Sequence, residues 1–347
     1  VLTADIDLSG YENWTPIGAF RPLSDAPEHV ETPDPEAAFS GTFNGDGHTI
    51  SNVRINQPEG MFVGLFGCTV GQEDNPTSIY NLTVENVDVT GFHLVGGVVG
   101  MQYSGCILEN VNLISENTGD NTVCGNQGVG GITGISFEDM KNCRAEADIV
   151  VLGDDGAAAG VLAGGMEGCS TIECRVTGGT VRAEGKNCWG LGGLAGCIFK
   201  GIAATNCHVA NVSITASGAN TRLVGGLLGF TGTYDNDPPT QITECSADTT
   251  ITVSDSTTRV GGLVGGSYDD ETKWPVPSVY AIANCETHGS ITGGSEALGS
   301  IAGYAYRSTV ENCRSDMTIN GDSNPPQVVQ AEGFENLSAW ANRGSGS

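Results

Sequence analysis

The sequence predicts an all-β protein: a parallel β-helix, or solenoid, of about nine three-stranded coils with an N-terminal lead-in and a short C-terminal cap. Three observations carry this. A glycine-rich segment recurs along the chain at a nearly constant period. An Asn/Glu signature precedes it within each period, and a further short run rich in Val, Ile and Thr follows that signature. A fixed period of this length is the mark of stacked supersecondary units, none of which can bury its apolar face alone.

The glycine segment reads Val260-Gly-Gly-Leu-Val-Gly265 in its fullest form. Its relatives are Phe62-Val-Gly-Leu-Phe-Gly67, Val95-Gly-Gly-Val-Val-Gly100, Val129-Gly-Gly-Ile-Thr-Gly134 and Ala159-Gly-Val-Leu-Ala-Gly164. Leu191-Gly-Gly-Leu-Ala-Gly196, Val224-Gly-Gly-Leu-Leu-Gly229 and Leu298-Gly-Ser-Ile-Ala-Gly303 complete the series. Positions five and two before the closing glycine are apolar in every copy. Strict strand alternation cannot put residues three apart on one face. The glycine pair between them can supply a bulge or corner, so the segment reads as a strand that bends.

Upstream of each glycine strand comes an apolar or small residue, a spacer, Asn or Glu, and a small apolar residue. It runs from Ile50-Ser-Asn-Val53, Ile79-Tyr-Asn-Leu82 and Leu108-Glu-Asn-Val111 to Ile282-Ala-Asn-Cys285 and Val310-Glu-Asn-Cys313. Some six residues later lies a third strand, marked by Ile149, Ile251, Ile291 and Ile319. Three segments per period, separated by Gly, Asn and Asp, make one coil. Nine coils at the strand spacing give a rod of roughly 40 Å. The predicted divisions are a lead-in over 1–38, the β-helix over 39–320, and a cap and tail over 321–347. A short amphipathic helix over 332–341 would close the last coil.

Composition narrows the function. The chain has 347 residues, 41 Asp plus Glu against 14 Lys plus Arg, and a net charge of −27. A nucleic-acid partner is excluded, because a binder must neutralise phosphates with cations. Only 16% of residues are charged and the apolar ones are periodic, so the chain is not expected to be disordered. No run approaches the ~18 to 20 apolar residues of a membrane span, so membrane insertion is not expected. The chain opens without a basic segment followed by an apolar one, so any secretory signal has been removed or was never part of this sequence.

Six of the twelve cysteines, Cys143, Cys174, Cys207, Cys245, Cys285 and Cys313, hold one equivalent position in consecutive coils. Aliphatic residues hold it in the first three, so the thiol reads as a small buried hydrophobe in a stacked row. Zinc-ligand spacing is absent. The preceding Asn reads as a ladder of amides at a corner in the left-handed conformation. Cys68, Cys106, Cys124, Cys169, Cys188 and Cys197 fall out of this register.

Two places could carry a site. The residues one and three after each Cys should face solvent, which in the last coils stacks Asp248, His288 and Asp316 about 5 Å apart. Such a column can exchange protons or hold a cation. The bland reading of the same residues is a solvated face whose charges serve solubility. The second place is a pair of expanded corner loops in adjacent coils, Thr231–Pro239 and Ser267–Pro277. They bring Tyr234, Asp235 and Asp237 beside Tyr268, Asp269, Asp270, Glu271 and Trp274. Insertions in a solenoid fall on loops, often on the binding face. Aromatic rings could hold a sugar face here, and the carboxylates would suit Ca²⁺. No His-Glu-x-x-His, Gly-x-Ser-x-Gly or phosphate loop occurs, which removes support for metalloprotease, serine hydrolase and nucleotide readings.

The repeated Gly-Gly-Leu-x-Gly strand resembles the GLUG-motif repeats of bacterial surface proteins. Leu2-Thr-Ala-Asp-Ile-Asp-Leu8, Trp14-Thr-Pro-Ile-Gly18 and Phe39-Ser-Gly-Thr-Phe-Asn-Gly-Asp-Gly-His-Thr-Ile50 are similar to the opening that precedes such repeats. The resemblance implies a secreted or cell-surface protein in which this region is one part of a longer adhesin-like polypeptide. Some immunoglobulin A metallopeptidases carry similar repeats, but their zinc motif is missing here. Two readings result. One is a non-catalytic β-helical module whose corner loops bind glycan or a host ligand, with no cofactor except Ca²⁺. The other is a polysaccharide-active β-helix enzyme, a glycoside hydrolase or lyase, using the outward carboxylates.

Overall fold

The computed structural model describes residues 1–20, 34, 36–71, 77–114, 120–200, 203–232, 239–267, 280–306 and 308–330. Among these every regular element is a strand, and nearly all pairing is parallel and in register from one coil to the next. No helix among them is long and apolar enough to cross a membrane. The strands form three sheets of 21, nine and eight strands. The chain is therefore a three-sheeted parallel β-solenoid.

One coil shows how sequence becomes structure. Met140–Lys141 enters the largest sheet, Asn142 turns the chain at φ 49°, and Arg144–Val151 continues in the same sheet. The sheet is thus creased at the Asn corner. Burial alternates along Arg144–Val151 as a strand with one solvated face requires. The segment marked by Ile149 is the continuation of this strand rather than a separate one. Its register partners Ile55, Val89, Val123, Val181, Ile214, Ile251, Ile291 and Ile319 make one buried aliphatic ladder along the rod. Each such side chain contributes roughly 1.5–3 kcal/mol of hydrophobic stabilisation.

The glycine strand bends as expected, sharply enough to be shared between two sheets. Ala157–Gly160 lies in the eight-stranded sheet and Ala163–Glu167 in the nine-stranded one. Both apolar motif positions face the core: Val260 and Leu263 are fully buried, as is the neighbouring Val264. The closing glycines have a steric cause. A methyl carbon on Gly134, Gly196, Gly229, Gly265 or Gly303 would come within 2.6 Å of the backbone of the preceding coil. Real contacts of that kind do not occur, so these positions cannot drift.

Two expectations for the first coil need correction. Ile50-Ser-Asn-Val53 is not at the Asn-Cys corner: Ile50 and Ser51 pair with Val84 and Glu85, which sets Asn52 against Asn86 at a different turn. At the corner itself Asn44 pairs with Tyr80, and Gly45 replaces the Asn. The first glycine strand is also one residue short. Val63, not Phe62, pairs with Val95, and Phe66 pairs with Val99.

The lead-in pairs with the stack. Ile6–Asp7 adds to Thr49–Ser51, the Leu2 and Trp14 N–H groups donate to Asn44 and Arg54, and Ile17 bridges Phe66. At the other end Val328–Gln330 is the last strand of the nine-stranded sheet. The segment 332–341, expected as a capping helix, lies outside the described residues.

Candidate functional site

The Asn corner is built as the sequence suggests, but over a shorter run. Asn110 Nδ2 donates to Asn81 Oδ1 (3.0 Å), and Asn142 donates in turn to Asn110. Glu173 follows, and a carboxylate has no N–H to pass on, so the ladder stops. A second amide ladder at the opposite turn joins Asn220 to Asn187 (3.2 Å) and Asn187 to Asp155 (3.0 Å), all at positive φ. The turn lacks a repeated neighbouring motif, so pattern reading passes over it.

The six in-register cysteines are free and stacked, five of them buried and Cys313 partly so. The Cys207 thiol sits 3.4 Å from the carbonyl oxygens of both Thr171 and Thr205. Neighbouring thiols and burial together hold Cys174, Cys207 and Cys245 well above the usual thiol range. These are inert core groups. Of the out-of-register cysteines, Cys68, Cys106, Cys169 and Cys197 are pushed up to about 12 by burial. Among the described residues no group of His, Cys, Asp and Glu is placed to hold a metal ion.

The acidic column forms. Asp248 and His288 are register partners, and His288 Nδ1 lies 2.8 Å from Asp316 Oδ1. Glu286, which sequence reading left aside, approaches His288 Nε2 at 3.9 Å. The side chains are open to solvent, 46% exposed for His288 and 72% for Asp316. Ion pairs so exposed contribute little and position little. One rung away stands a sequence of partners that composition could not reveal. Asn206 Oδ1 accepts from His208 Nε2–H (2.9 Å), leaving Nδ1 to accept from the Ser246 hydroxyl (2.8 Å). Burial, then Arg175, lowers the His208 pKa, which keeps the ring neutral. The order of groups is that of a nucleophile, base and orienting amide. Yet the Ser246 N–H is committed to Cys207 O (3.0 Å), and the three side chains stand on an outward sheet face.

The corner-loop residues Tyr234, Asp235, Asp237, Tyr268, Asp269, Asp270, Glu271 and Trp274, and with them the Ca²⁺ expectation, lie outside the described residues.

A feature absent from the sequence reading runs along the outside of the bent glycine strand. The residue after each closing glycine, Cys68, Met101, Ile135, Gly165, Cys197, Phe230, Gly266 and Tyr304, stacks in register from coil to coil. Across the bend stand Phe62, Leu94, Gly128, Ala158, Gly190, Leu223, Arg259 and Ala297, all at positive φ. Together they line a seam with its own apolar clusters, apart from the main core. Cys68 and Cys197 are out of the thiol register because they belong to this seam. The signal was the side chain following each closing glycine, which is often large and apolar although the strand's core positions are already filled.

Comparison with known proteins agrees with this architecture. The profile of the family described as the GLUG motif matches residues 294–320, which hold the last bent glycine strand and the next Asn corner. A stretch of 137 residues, 39% of this chain, is 39% identical to a protein named halomucin from Haloquadratum walsbyi, and covers 1% of its length. A stretch of 118 residues, 32% of this chain, is 30% identical to a putative Gly-rich membrane protein of Evansella cellulosilytica, and covers 12% of it. The matches thus span only a small part of these relatives. No solved structure matches the chain. The chain thus carries a GLUG motif at residues 294–320, in a rod that repeats the same bend from coil to coil.

Proposed function

We propose that the chain is a non-catalytic extracellular module of an adhesin-like surface polypeptide, a rigid β-solenoid that binds glycan or a host ligand through the corner loops of coils six and seven. The observation that carries this reading is the pairing of a GLUG motif with relatives of which the chain covers only 1% and 12%, one named halomucin. On this reading the repeats are one stretch of a longer polypeptide, in which the solenoid spaces and presents surfaces. The net charge of −27 fits a protein that stays soluble and repels its own kind at a surface.

The hydrogen bond between His288 and Asp316, with Asp248 beside it, favours a second reading as a glycoside hydrolase or lyase. In a hydrolase the separation of the two working carboxylates would set the stereochemical outcome. The exposure of these groups weighs against it, because catalytic electrostatics gain their strength from exclusion of water.

The test is to incubate the protein with labelled glycans, with and without EDTA, and weigh bound and released species by mass spectrometry. Intact glycan retained by the wild type and released by Trp274→Ala supports the binding module. Shortened products that vanish in Asp248→Ala or Asp316→Ala would replace it with the enzyme.

A further inference from the structure

Of the imidazoles among the described residues, His48 and His288 face carboxylates and His93 stacks on Phe92, whereas His208 faces a hydroxyl. Register builds this contact. His208 and Ser246 follow Cys207 and Cys245 on adjacent coils and are direct partners in the parallel ladder. Their N–H groups donate to Cys174 O and Cys207 O, each at 3.0 Å, which fixes both backbones on their rungs. Asn206 stands at the corner with φ 52°, and its amide oxygen holds the far ring nitrogen at 2.9 Å. The neighbouring rungs of the same column carry Arg144, Arg175, Glu286 and Arg314, so this is the pair of rungs where a base meets a hydroxyl.

The partners decide the proton's place. An amide oxygen only accepts, so Nε2 carries the ring proton and Nδ1 turns its lone pair to the Ser246 hydroxyl 2.8 Å away. Among the described residues no other group bonds that hydroxyl. Its oxygen lone pairs are therefore free, and both residues are half-buried and within reach of a small molecule from solvent. What is missing sets the substrate. The N–H groups of His208, Ser246 and Glu286 are all spent on carbonyls of the preceding coil, each at 3.0 Å. Beyond Ser246 the next rung is Glu286, a carboxylate. A developing oxyanion finds no donor here, which leaves amides and glycosides out of reach. Aryl esters and thioesters part with a stable anion and need little more than an activated nucleophile.

We infer that Ser246 is an acyl-accepting nucleophile, with His208 as its general base and Asn206 as the residue that positions the ring, for acyl donors with a phenolate or thiolate leaving group. Ser246 Oγ bonds to the acyl carbon and its proton passes to His208 Nδ1. The bond from the acyl carbon to the phenolate oxygen or thiolate sulfur breaks, and the electron pair departs on that anion. The imidazolium then gives its proton to solvent. The product is an alkyl ester whose own leaving group is poor, so the acyl group remains on Ser246. The module is thereby modified once rather than turned over.

The test is to treat the full chain with p-nitrophenyl acetate, following p-nitrophenolate release, intact mass and peptide maps. A single acetyl group should appear on Ser246 and be lost in Ser246→Ala. His208→Gln can still hydrogen-bond the hydroxyl but takes up no proton, and should slow acetylation about 100-fold. The charged groups about the ring by register are Arg175 and Glu173 on the preceding coil, and Glu244, Asp248 and Glu286 on the two that follow. Burial, then Arg175, holds the imidazole below its ordinary 6.5. The rate should therefore be full above pH 6.5 and fall as pH drops through the lowered value. Asn206→Asp tolerates the corner φ and sets a carboxylate on Nε2–H, so it should move that midpoint to higher pH, which a merely structural role would not do. Acetyl groups on lysines with Ser246 unmodified, an undiminished rate in His208→Gln, or an unmoved midpoint in Asn206→Asp would each overturn the inference. The glycan panel reads the corner loops, so neither experiment decides the other.

Discussion

Gly229→Ala tests the steric logic of the repeat directly. A methyl carbon there would lie within 2.6 Å of Leu191 N, Gly190 C and Gly196 O, all backbone atoms of the preceding coil. Ordinary van der Waals contact begins near 3.4 Å, so the two coils must separate by roughly 1 Å, a large step up a steep repulsive wall. The hydrogen bonds from Gly193 N to Gly226 O (3.1 Å) and from Leu194 N to Leu227 O (2.9 Å) join the same two coils and would stretch past useful length. Overpacking costs about 1–3 kcal/mol, and each hydrogen bond lost adds about 1 kcal/mol. The expected loss is therefore about 3–5 kcal/mol, concentrated at one interface of a quasi-one-dimensional stack. Gly165→Ala is the control. Its nearest neighbours would be the Cys197 sulfur at 3.1 Å and Ile135 Cγ1 at 3.8 Å, both side-chain atoms that can give way. Urea unfolding followed by circular dichroism should show a much lower midpoint and a broader transition for Gly229→Ala, with Gly165→Ala within about 1 kcal/mol of wild type. Equal midpoints for the two variants would refute the reasoning.

Other outcomes follow from the ladders. Asn110→Ala removes the bonds to Asn81 and from Asn142 and places Ala at φ 54°, so it should cost about 2–4 kcal/mol in urea unfolding, of which Asn110→Gly recovers the backbone share; equal losses would contradict this. Cys207→Val should be neutral within about 1 kcal/mol, since Val111 and Leu82 hold the same position in earlier coils, and a larger loss would show that the thiol does more than fill space. The buried thiols of Cys68, Cys106, Cys169 and Cys197, raised to about 12, make stability pH-dependent. Their contribution is complete below the unfolded thiol pKa of about 8.5 and is lost as pH rises towards 12, by about 1.4 kcal/mol per pH unit for each thiol. Urea midpoints under reducing conditions should fall steeply above pH 9, and a flat profile would contradict the burial. Asp316→Ala should change stability by less than about 1 kcal/mol, because its bond to His288 is largely exposed, and a larger loss in thermal unfolding would show a structural role for the column.

The repeat was legible because its cause is steric and local. A closing glycine that touches the preceding coil's backbone leaves no alternative residue, so the period survives in the letters at Gly134, Gly196 and Gly265. The aliphatic and thiol ladders were legible for a related reason, since one face of each strand must stay small and apolar. The first coil misled because its exceptions mimic the rule. Ile50-Ser-Asn-Val53 has the right letters at the wrong corner, while Gly45 adopts the true corner without an Asn. Exposed chemistry was only partly legible. Register placed Asp248, His288 and Asp316 together, but could not show that Glu286 approaches the same imidazole. The seam escaped because part of it runs through positions with little or no side chain, Gly128, Ala158 and Gly165. Positions without side chains look in sequence like more of the same glycine-rich strand.

The central claim is that each period of about 33 residues adds one rung to a single parallel stack. Spin labels carried on a non-natural amino acid, which spares the cysteines, can be placed at Asp88, Ser213, Thr250 and Thr318, all in one register column. Pulsed dipolar spectroscopy should then give distances from Asp88 that grow by about 4.8 Å per rung, reaching roughly 24 Å at Thr250 and roughly 34 Å at Thr318. Narrow distributions on that line are the predicted result. Distances that fail to increase linearly with rung number, or that spread broadly, would contradict the stack and the site drawn on it.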